Sequence, residues 1–223
     1  MKINAIITGS TGMVGEGVLY QCLQNENVES VLVINRKSCG LIHPKLKEII
    51  HKDFMDLSLI EEQFIGYNAC YFCSGVSSVG KKENEYRQLT YDLTLNFAKT
   101  LIKINGGQSK NITFTYVSGV GTDSTEKGKS MWARIKGQTE NDLLKLPFKG
   151  AYMFRPGYIK PIKGLKNAYK VSKVLSPFYP IFEKLFPKYV GTLEELGNSM
   201  IYVTLNGYEK KILDCVDIRK IGK

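Results

Sequence analysis

Residues 8–15 read Thr-Gly-Ser-Thr-Gly-Met-Val-Gly, and this stretch decides the fold. The mostly apolar run 3–7 before it predicts a short, buried parallel strand. After it, apolar side chains recur at helical spacing, so a helix is expected to begin at once. The members of that helical stripe are Val14, Val18, Leu19 and Cys22. A strand therefore passes into a helix through three glycines spaced G-x-x-G-x-x-G.

Each glycine of this turn has a separate use. Gly9 lets the chain turn tightly, Gly12 lets a pyrophosphate approach the backbone, and Gly15 lets the helix pack closely on the strand. The helix N-terminus adds free N–H groups and the positive end of the helix dipole. We interpret the turn as a dinucleotide-binding site; the alternative is a tight turn without a ligand. The predicted cofactor-binding residues are Gly9, Ser10, Thr11, Gly12, Met13, Val14 and Gly15.

The end of the second predicted strand, 30–34, indicates which dinucleotide is bound. It runs into Asn35, Arg36 and Lys37. An acid at this point binds the ribose hydroxyls of NAD, whereas an arginine accommodates the 2′-phosphate of NADP. The acid is absent and two cations are present, which predicts NADP(H) rather than NAD(H). The alternative interpretation is a solvated basic loop.

The rest of the chain alternates between strand-like and helix-like patterns. Strands are predicted at 47–50, 69–74, 111–118 and 151–154, and helices at 57–64, 83–104 and 130–146, with Asp56 as an N-cap. Such alternation predicts an α/β fold, a doubly wound parallel sheet of the Rossmann type. Ser74 and Gly75 open a small-residue loop at the carboxyl edge of that sheet, where ligands bind in open α/β folds.

By these features the chain resembles the atypical, extended-like short-chain dehydrogenases/reductases, nearest to the Tat-interacting oxidoreductase-like proteins and the small epimerase-like proteins. The resemblance covers about 3–160. It rests on the glycine triplet, the basic end of strand two, Phe-Cys-Ser-Gly at 72–75, Lys136-Gly137-x-x-Glu140 and Arg-Pro-Gly at 155–157. It implies an NADP(H)-dependent oxidoreductase or epimerase acting on a small carbonyl or hydroxyl compound. It also places Asp53 and Phe54 near the adenine and Tyr158 and Ile159 beside the nicotinamide, and it makes Pro156 and Gly157 cofactor-binding residues.

The sequence departs from the family's catalytic pattern, a Ser with Tyr-x-x-x-Lys. The residue four before Lys136 is Trp132, whose indole N–H donates a hydrogen bond but does not titrate. Lys136 is predicted to hold the ribose, and Ser118 is the candidate serine. If Gly119 or Val120 occupies the serine register instead, Thr122 and Ser124 are the substitutes. The catalytic candidates are Ser118, Trp132 and Lys136.

The segment 161–223 is predicted to form a small substrate lid on the NADP-binding domain 1–160, the two making one compact unit. Between residues 160 and 190, seven lysines stand against a single acid, Glu183. Aromatic side chains interleave with them: Tyr169, Phe178, Tyr179, Phe182, Phe186 and Tyr189. One interpretation is an aromatic pocket with a cationic rim for an anionic substrate. The others are a proline-broken helical cover with solvated lysines, and a membrane-surface element, against which the prolines argue.

Two further patterns are predicted in this last segment. Thr192-Leu193-Glu194-Glu195 reads as a capping box that begins a helix ending near residue 205. Residues 211–216 read as a final strand.

Composition limits the remaining classes of function. A net charge of +10 attracts anionic partners, so a nucleic-acid binder is an alternative, placed last because no nucleic-acid motif is present. A non-catalytic NADP sensor, like the NmrA-type regulators, is the stronger rival. A small-molecule substrate is the expected partner, without nucleic acid or membrane insertion, and the sequence does not determine the oligomeric state.

Cysteine usage and the N-terminus predict a cytoplasmic protein without metal. The five cysteines are an odd number, scattered along the chain, and read as reduced thiols. Cys70 and Cys73 lie in a predicted strand, where residues three apart face opposite sides, and only two histidines are present. No apolar run reaches membrane-spanning length, and the chain enters its first strand at residue 3, leaving no room for a signal peptide.

Overall fold

The computed structural model describes residues 2–167, 177 and 179–223. Its strands are β1 (Ile3–Thr8), β2 (Val28–Asn35), β3 (Leu46–Ile50), β4 (Ala69–Phe72), β5 (Thr113–Val117), β6 (Gly150–Phe154), β7 (Tyr158–Lys160), β8 (Val190–Thr192) and β9 (Ile212–Leu213). Its helices are α1 (Met13–Gln24), α2 (Glu83–Arg87), α3 (Leu93–Asn105), α4 (Met131–Leu143), α5 (Tyr179–Leu185), α6 (Leu193–Asn206) and α7 (Cys215–Gly222).

A parallel sheet with strand order β3-β2-β1-β4-β5-β6-β9 forms the centre of the described chain. The chain winds outward from β1 to β3 and then returns to the other side of β1 to begin β4. The predicted doubly wound α/β fold is therefore confirmed. Because the winding direction reverses between β1 and β4, their carboxyl ends form the switch point at which such sheets bind ligands.

Helices cover both faces of this sheet, and each face buries its own apolar cluster. On one face, Ile7 and Tyr71 pack with Met200 of α6 and with side chains of α1. On the other, Ile6 packs with Phe97 of α3 and with the strands β4 to β6. Ile6 and Ile7 point to opposite faces because side chains alternate along a strand. The apolar run in β1 is thus explained by burial on both sides.

The long helix predicted at 83–104 is present but is not a regular α-helix. A π-helical segment, Gln88–Asp92, separates α2 from α3. Phe97 and Leu101 are fully buried as predicted, whereas Leu89 and Leu93, which were expected on the same stripe, are only partly buried.

Two predicted elements are wrong in type or length. No α-helix forms at 57–64; the segment holds a single 3₁₀ turn, Glu61–Phe64. Asp56 accepts a hydrogen bond from the Ser58 N–H at 3.0 Å, so it closes a local turn instead. The strand predicted at 211–216 is limited to β9, because Asp214 accepts the N–H groups of residues 216 and 217 and begins α7.

The C-terminal helices belong to the layers of the sheet. The capping box predicted at Thr192 and Glu195 is confirmed and begins α6. This helix lies so close to α1 that a Cβ on Gly17 would come within 2.9 Å of Leu193 Cδ1, and one on Gly197 within 2.6 Å of Gln21 Cγ. Since β9 also joins the sheet beside β6, the division of the chain at residue 160 stays a prediction.

The glycine turn brings α1 directly onto the end of β1. A Cβ on Gly15 would lie 2.2 Å from the Gly9 carbonyl oxygen and 2.8 Å from the Ser10 nitrogen. Both obstacles are backbone atoms, which cannot move aside as a flexible side chain would. The absence of a side chain at position 15 thus sets the distance between helix and strand.

We predict that Gly15→Ala lowers the free energy of unfolding by about 1–3 kcal/mol, the usual cost of overpacking. This sign opposes helix propensity, which favours alanine by about 1 kcal/mol. Urea unfolding measures it. The matched control is Gly107→Ala, whose Cβ meets no atom within 4 Å and which should change the free energy by less than about 0.5 kcal/mol. Equal stability of Gly15→Ala and wild type would contradict the packing argument.

Candidate functional site

The turn after β1 and the loop after β4 are in direct contact at the carboxyl edge of the sheet. Gly9 has φ +73°, and a Cβ there would lie 2.8 Å from the Ser74 nitrogen. The Ser74 N–H donates to Thr8 Oγ1 at 3.2 Å. Gly75 follows and is exposed. The predicted residues of both loops therefore meet at the switch point.

The N-terminus of α1 opens at this same point. Gly12 is the N-cap, with φ −106° and ψ 164°, and no side chain of the described residues caps the first turn. The Gly12 N–H donates to the Gly9 carbonyl at 2.9 Å, which closes the turn. Gly12 is exposed, Met13 is buried and Val14 is partly buried. The turn therefore presents backbone N–H groups of a helix end without a Cβ in front of them, which suits a phosphate.

Glu16 ties a distant segment to this helix end. Its side chain is 7% exposed, and its carboxylate accepts the backbone N–H groups of Lys166 at 2.8 Å and Asn167 at 2.7 Å. A buried carboxylate is costly unless donors satisfy it, and here two backbone groups do so. The stretch leading away from β7 is thus anchored beside the glycine turn. No sequence pattern identified Glu16, because its partners lie 150 residues away.

The end of β2 presents two cations beside a buried amide. Asn35 is 2% exposed; its Oδ1 accepts the Ser10 hydroxyl at 3.0 Å, and its Nδ2 donates to Glu48 at 2.9 Å. Arg36 and Lys37 follow and are exposed. The predicted basic end of β2 therefore lies next to the glycine turn. Sequence reasoning missed Glu48, since it stands within a short strand without a motif.

The pair predicted near the adenine, Asp53 and Phe54, lies beyond β3. Asp53 is exposed, and its carboxylate accepts the Met55 N–H at 2.9 Å. The Phe54 ring is 7% exposed and stacks on Phe97, with ring centroids 6.3 Å apart. The Phe54 side chain is therefore a core residue, and Asp53 shapes its own turn. Their role at the adenine stays a prediction.

Trp132 and Lys136 lie on α4, which faces the loop after β5. A Cβ on Gly121 would come within 3.2 Å of Trp132 Cη2, so the indole lies against the Gly121 backbone. Both side chains are partly buried. The Lys136 ammonium donates to the Ser118 carbonyl. The predicted catalytic residues are thus gathered around one loop.

The Ser118 hydroxyl is directed into the protein. It donates to the Glu140 carboxylate, and the Phe154 carbonyl lies 3.2 Å from it. Glu140 is fully buried and pairs with Arg155, whose Nε lies 3.1 Å from each carboxylate oxygen. In this arrangement the serine hydroxyl holds a helix, a strand end and an ion pair together.

The alternative hydroxyls are also hydrogen-bonded. Thr122 is 7% exposed and donates to the Gly119 carbonyl at 2.7 Å. Ser124 is exposed, and its hydroxyl accepts a hydrogen bond from Arg155 at 2.5 Å. The geometry does not single out one of these residues for the serine role, and the assignment stays a prediction.

The Arg-Pro-Gly turn leads into a small parallel ribbon that the sequence did not predict. β7 pairs with β8, and the Tyr158 N–H donates to the Tyr189 carbonyl at 2.8 Å. A Cβ on Gly157 would lie 2.1 Å from that same carbonyl oxygen. The Pro156 carbonyl accepts the Val120 N–H at 2.9 Å, and Ile159 is buried. The four predicted cofactor-binding residues of this turn thus connect the loop after β5 to the C-terminal segment.

Aromatic side chains of that segment gather beside this ribbon. The rings of Tyr158 and Phe182 meet edge to face, 6.3 Å apart. The Lys160 ammonium lies 5.0 Å from the centre of the Tyr179 ring, and burial raises the pKa of Tyr179 to about 12. Phe186 and Tyr189 remain exposed. Tyr169 and Phe178, also predicted for this cluster, lie outside the described residues.

All five cysteines, which lie within the described residues, are free thiols. Burial raises the pKa of the Cys73 thiol to about 12 and that of Cys70 well above its usual value, so both are protonated. Across 2–167 and 179–223, no three His, Cys, Asp or Glu side chains gather to hold a metal ion. No helix in the described ranges is long and apolar enough to cross a membrane.

Comparisons with known proteins relate this geometry to others. No family model matches the chain. A solved structure of the ADP-L-glycero-D-manno-heptose-6-epimerase of Helicobacter pylori superposes over all of the chain and 81% of its own, with TM-score 0.68 and 14% identity. A short chain dehydrogenase family protein of Francisella tularensis superposes over 93% of both chains, with TM-score 0.66 and 14% identity.

The chain has the fold of the short-chain dehydrogenases and epimerases. The WbmG enzyme of Bordetella bronchiseptica, solved in complex with NAD, shares this fold over 95% of the chain and 72% of its own, with TM-score 0.68 and 13% identity. Among curated relatives, "Protein FMP52, mitochondrial" of Candida glabrata is 28% identical over an alignment of 230 residues. The alignment covers 99% of the chain and 93% of that protein.

The cytoplasmic location predicted from the sequence is wrong. The Candida glabrata relative and others, from Scheffersomyces stipitis and Kluyveromyces lactis, are all named mitochondrial proteins. Composition and hydropathy report on solubility and membrane spanning, whereas a cellular address is a separate signal that is read by receptors. The prediction of a cytoplasmic location failed because composition and hydropathy do not report the cellular address.

Lys136, on α4 of this fold, is a partly buried cation with a lowered pKa. Burial lowers the pKa of its ammonium to about 8, although the Glu140 carboxylate acts in the opposite direction. In the unfolded chain a lysine titrates near about 10.4. Below the folded pKa the ammonium is charged in both states, and the folded state carries the full cost of burial. Above it, the unfolded chain binds more protons, so stability rises with pH.

We therefore predict that wild type gains stability relative to Lys136→Met between pH 8 and pH 10, the window set by the folded pKa of about 8 and the unfolded value of about 10.4. Urea unfolding at constant ionic strength measures the difference in free energy at each pH. Lys129→Met, at an exposed position, is the control and should show no such trend. A difference that stays constant for Lys136→Met would show that the ammonium is solvated.

Proposed function

We propose that this protein binds NADP(H) and acts as an oxidoreductase or epimerase of the atypical short-chain type. The substrate is a small carbonyl or hydroxyl compound, anionic where it meets the lysines near residues 160–188. The observation that carries the proposal is the N-terminus of α1 at the switch point, where the exposed N-cap Gly12 leaves the first N–H groups without a side-chain cap.

The residues around the cleft fit a dinucleotide. A Cβ at Gly9 or Gly15 would collide with neighbouring backbone, so side chains at either position would break the turn that Gly9, Gly12 and Gly15 form. In the proposed complex this turn holds the pyrophosphate, while Lys136 holds the ribose beside the nicotinamide. When bound, the nicotinamide supplies or accepts a hydride. The solved WbmG structure, which contains NAD, supports this placement as a neighbour of the same fold.

The proposed preference for NADP(H) rests on the exposed cations after β2. Arg36 and Lys37 stand where an acid would bind the ribose hydroxyls of NAD. A guanidinium matches the two oxygens of a phosphate in a bidentate geometry. Asn35 is buried and fixes the point where the segment leaves the sheet, whereas Arg36, the next residue, is exposed. The Arg36 guanidinium is therefore accessible to a 2′-phosphate.

We predict that NADPH binds more tightly than NADH by about 1–3 kcal/mol, the range of charge-assisted hydrogen bonds. Isothermal calorimetry with both dinucleotides measures the difference. Arg36→Ala should reduce this difference. Lys110→Ala should not, because Lys110 is an exposed lysine just before β5, at the amino ends of the strands rather than at their carboxyl ends. Equal affinities in wild type, or a preference retained by Arg36→Ala, would remove Arg36 from the site.

The same site also supports a second function, a non-catalytic NADP(H) sensor. Trp132 stands where the family's pattern has a titrating tyrosine, and the Ser118 hydroxyl donates its hydrogen bond to Glu140. Hydride transfer to a carbonyl carbon requires a proton for the oxygen, and an indole N–H does not release one. Water, the hydroxyls at 118–124 and Tyr158 are the remaining donors. The enzyme and sensor proposals therefore differ in turnover, not in cofactor binding.

We predict that Trp132→Tyr leaves NADPH affinity nearly unchanged and raises reductase activity on small carbonyl compounds. The gain has an upper range of about 10²–10⁴-fold, the usual contribution of a positioned proton donor. Steady-state NADPH oxidation by wild type, Trp132→Tyr and Trp132→Phe measures it. The phenylalanine variant is the matched control, because it has the ring without the hydroxyl. Fast wild-type turnover that survives Trp132→Phe would show that Trp132 only fills space.

Location and partners complete the proposal. We place the protein in mitochondria, as the names of its curated relatives support. Its partner is a small molecule rather than nucleic acid or a membrane interior, and the positive charge serves anionic ligands. A nucleic-acid binder remains the last alternative, motivated by charge alone.

A further inference from the structure

A single carboxylate holds the segment that follows β2. Glu48 lies in β3, paired in register with Val33 of β2. Its Oε1 accepts the Asn35 Nδ2 at 2.9 Å and the Cys39 N–H at 2.8 Å, and its Oε2 accepts the Ser38 hydroxyl at 2.6 Å. All three donors belong to residues 35–39. The carboxylate therefore fastens this segment at both of its ends.

The hydrogen bonds continue from Glu48 to the glycine turn. The Asn35 side chain donates to Glu48 with its nitrogen and accepts the Ser10 hydroxyl with its oxygen, at 3.0 Å. Ser10 is 1% exposed and Asn35 is 2% exposed. Because the Asn35 oxygen faces a donor and its nitrogen faces an acceptor, the orientation of its amide is determined. The segment 35–39 is thus held in register with the proposed pyrophosphate site.

Arg36 and Lys37 stand between these fixed points. Both are exposed, and no hydrogen bond or ion pair of either is found within the described ranges. The Glu48 oxygens accept hydrogen bonds from the segment 35–39, so this carboxylate does not take the place of the acid that binds the ribose hydroxyls of NAD. Although burial alone would raise the pKa of Glu48, hydrogen bonds from Ser38, Cys39 and Asn35 lower it, and the carboxylate keeps its charge at neutral pH.

We propose that Glu48 is a positioning residue that sets the preference for the 2′-phosphate, by holding the backbone that presents Arg36 and Lys37. This inference rests on the proposed NADP(H) function and adds a residue that acts through others. An acid usually disfavours a phosphate nearby. Here its charge is matched by three donors, and its effect on binding is carried by the geometry of the segment.

The sign of the effect separates this role from simple electrostatics. Removing a negative charge near a phosphate site strengthens phosphate binding if charge alone matters. Releasing the segment weakens it, because two mobile cations must then be ordered on binding. Glu48→Ala is therefore expected to change affinity for NADPH in opposite directions under the two accounts.

The experiment titrates NADPH, NADH, 2′,5′-ADP and 5′-ADP into wild type, Glu48→Ala, Glu48→Gln and Glu29→Ala by calorimetry. We expect Glu48→Ala to weaken NADPH and 2′,5′-ADP about tenfold, with NADH and 5′-ADP nearly unchanged. Glu48→Gln should recover most of the preference, since its amide oxygen still accepts two of the donors. Glu29→Ala, which removes an exposed acid from β2, is the matched control for charge.

Two results overturn the inference. One is tighter NADPH binding by Glu48→Ala, and the other is an unchanged ratio of NADPH affinity to NADH affinity, whether both affinities fall equally or neither falls. In an Arg36→Ala background, Glu48→Ala should add little further loss, because both act on the same contact. If Glu48→Ala does not fold, Ser38→Ala tests the same tether and should reduce the preference by a smaller factor. Failure of wild type to bind any of the four ligands would instead remove the proposed function itself.

Discussion

The contact between Gly15 and the Gly9 carbonyl is the constraint on which the rest of this structure depends. It places α1 directly on the end of β1. The same turn touches the loop after β4, where a side chain on Gly9 would collide with the Ser74 backbone. Two close backbone approaches therefore fix a helix end and two strand ends relative to one another. These approaches are possible because no Cβ stands at either position.

At the carboxyl edge of the sheet, three carboxylates each hold one loop. Glu16 accepts two backbone N–H groups of the segment after β7. Glu48 fastens the segment after β2, and Glu140 joins Ser118 to Arg155 at the ends of β5 and β6. A buried or partly buried acid is stable only when donors satisfy it. Each acid therefore constrains its loop to the geometry that supplies those donors.

The two proposed functions differ in what they require of the side chains on α4. Lys136 has a lowered pKa and faces the loop after β5, as a residue with a chemical role would. Trp132 lies against the Gly121 backbone at the neighbouring position and brings no titratable group. The fold alone does not decide between these functions, because the same scaffold supports both. The decision belongs to single side chains on α4 and around it.

The sequence by itself determined the fold class, the glycine turn between β1 and α1 and the basic end of β2, because these follow from local patterns: apolar runs, glycine spacing and residues adjacent in the chain. It placed the α6 capping box for the same reason. Only the tertiary structure decided the roles of Glu16, Glu48 and Glu140, whose partners lie 150 to 151, 9 to 13 and 15 to 22 residues away. It also decided the π segment in the long helix and the β7–β8 ribbon. Such features depend on which groups remain to be satisfied once distant parts of the chain have packed, and no local pattern carries that information.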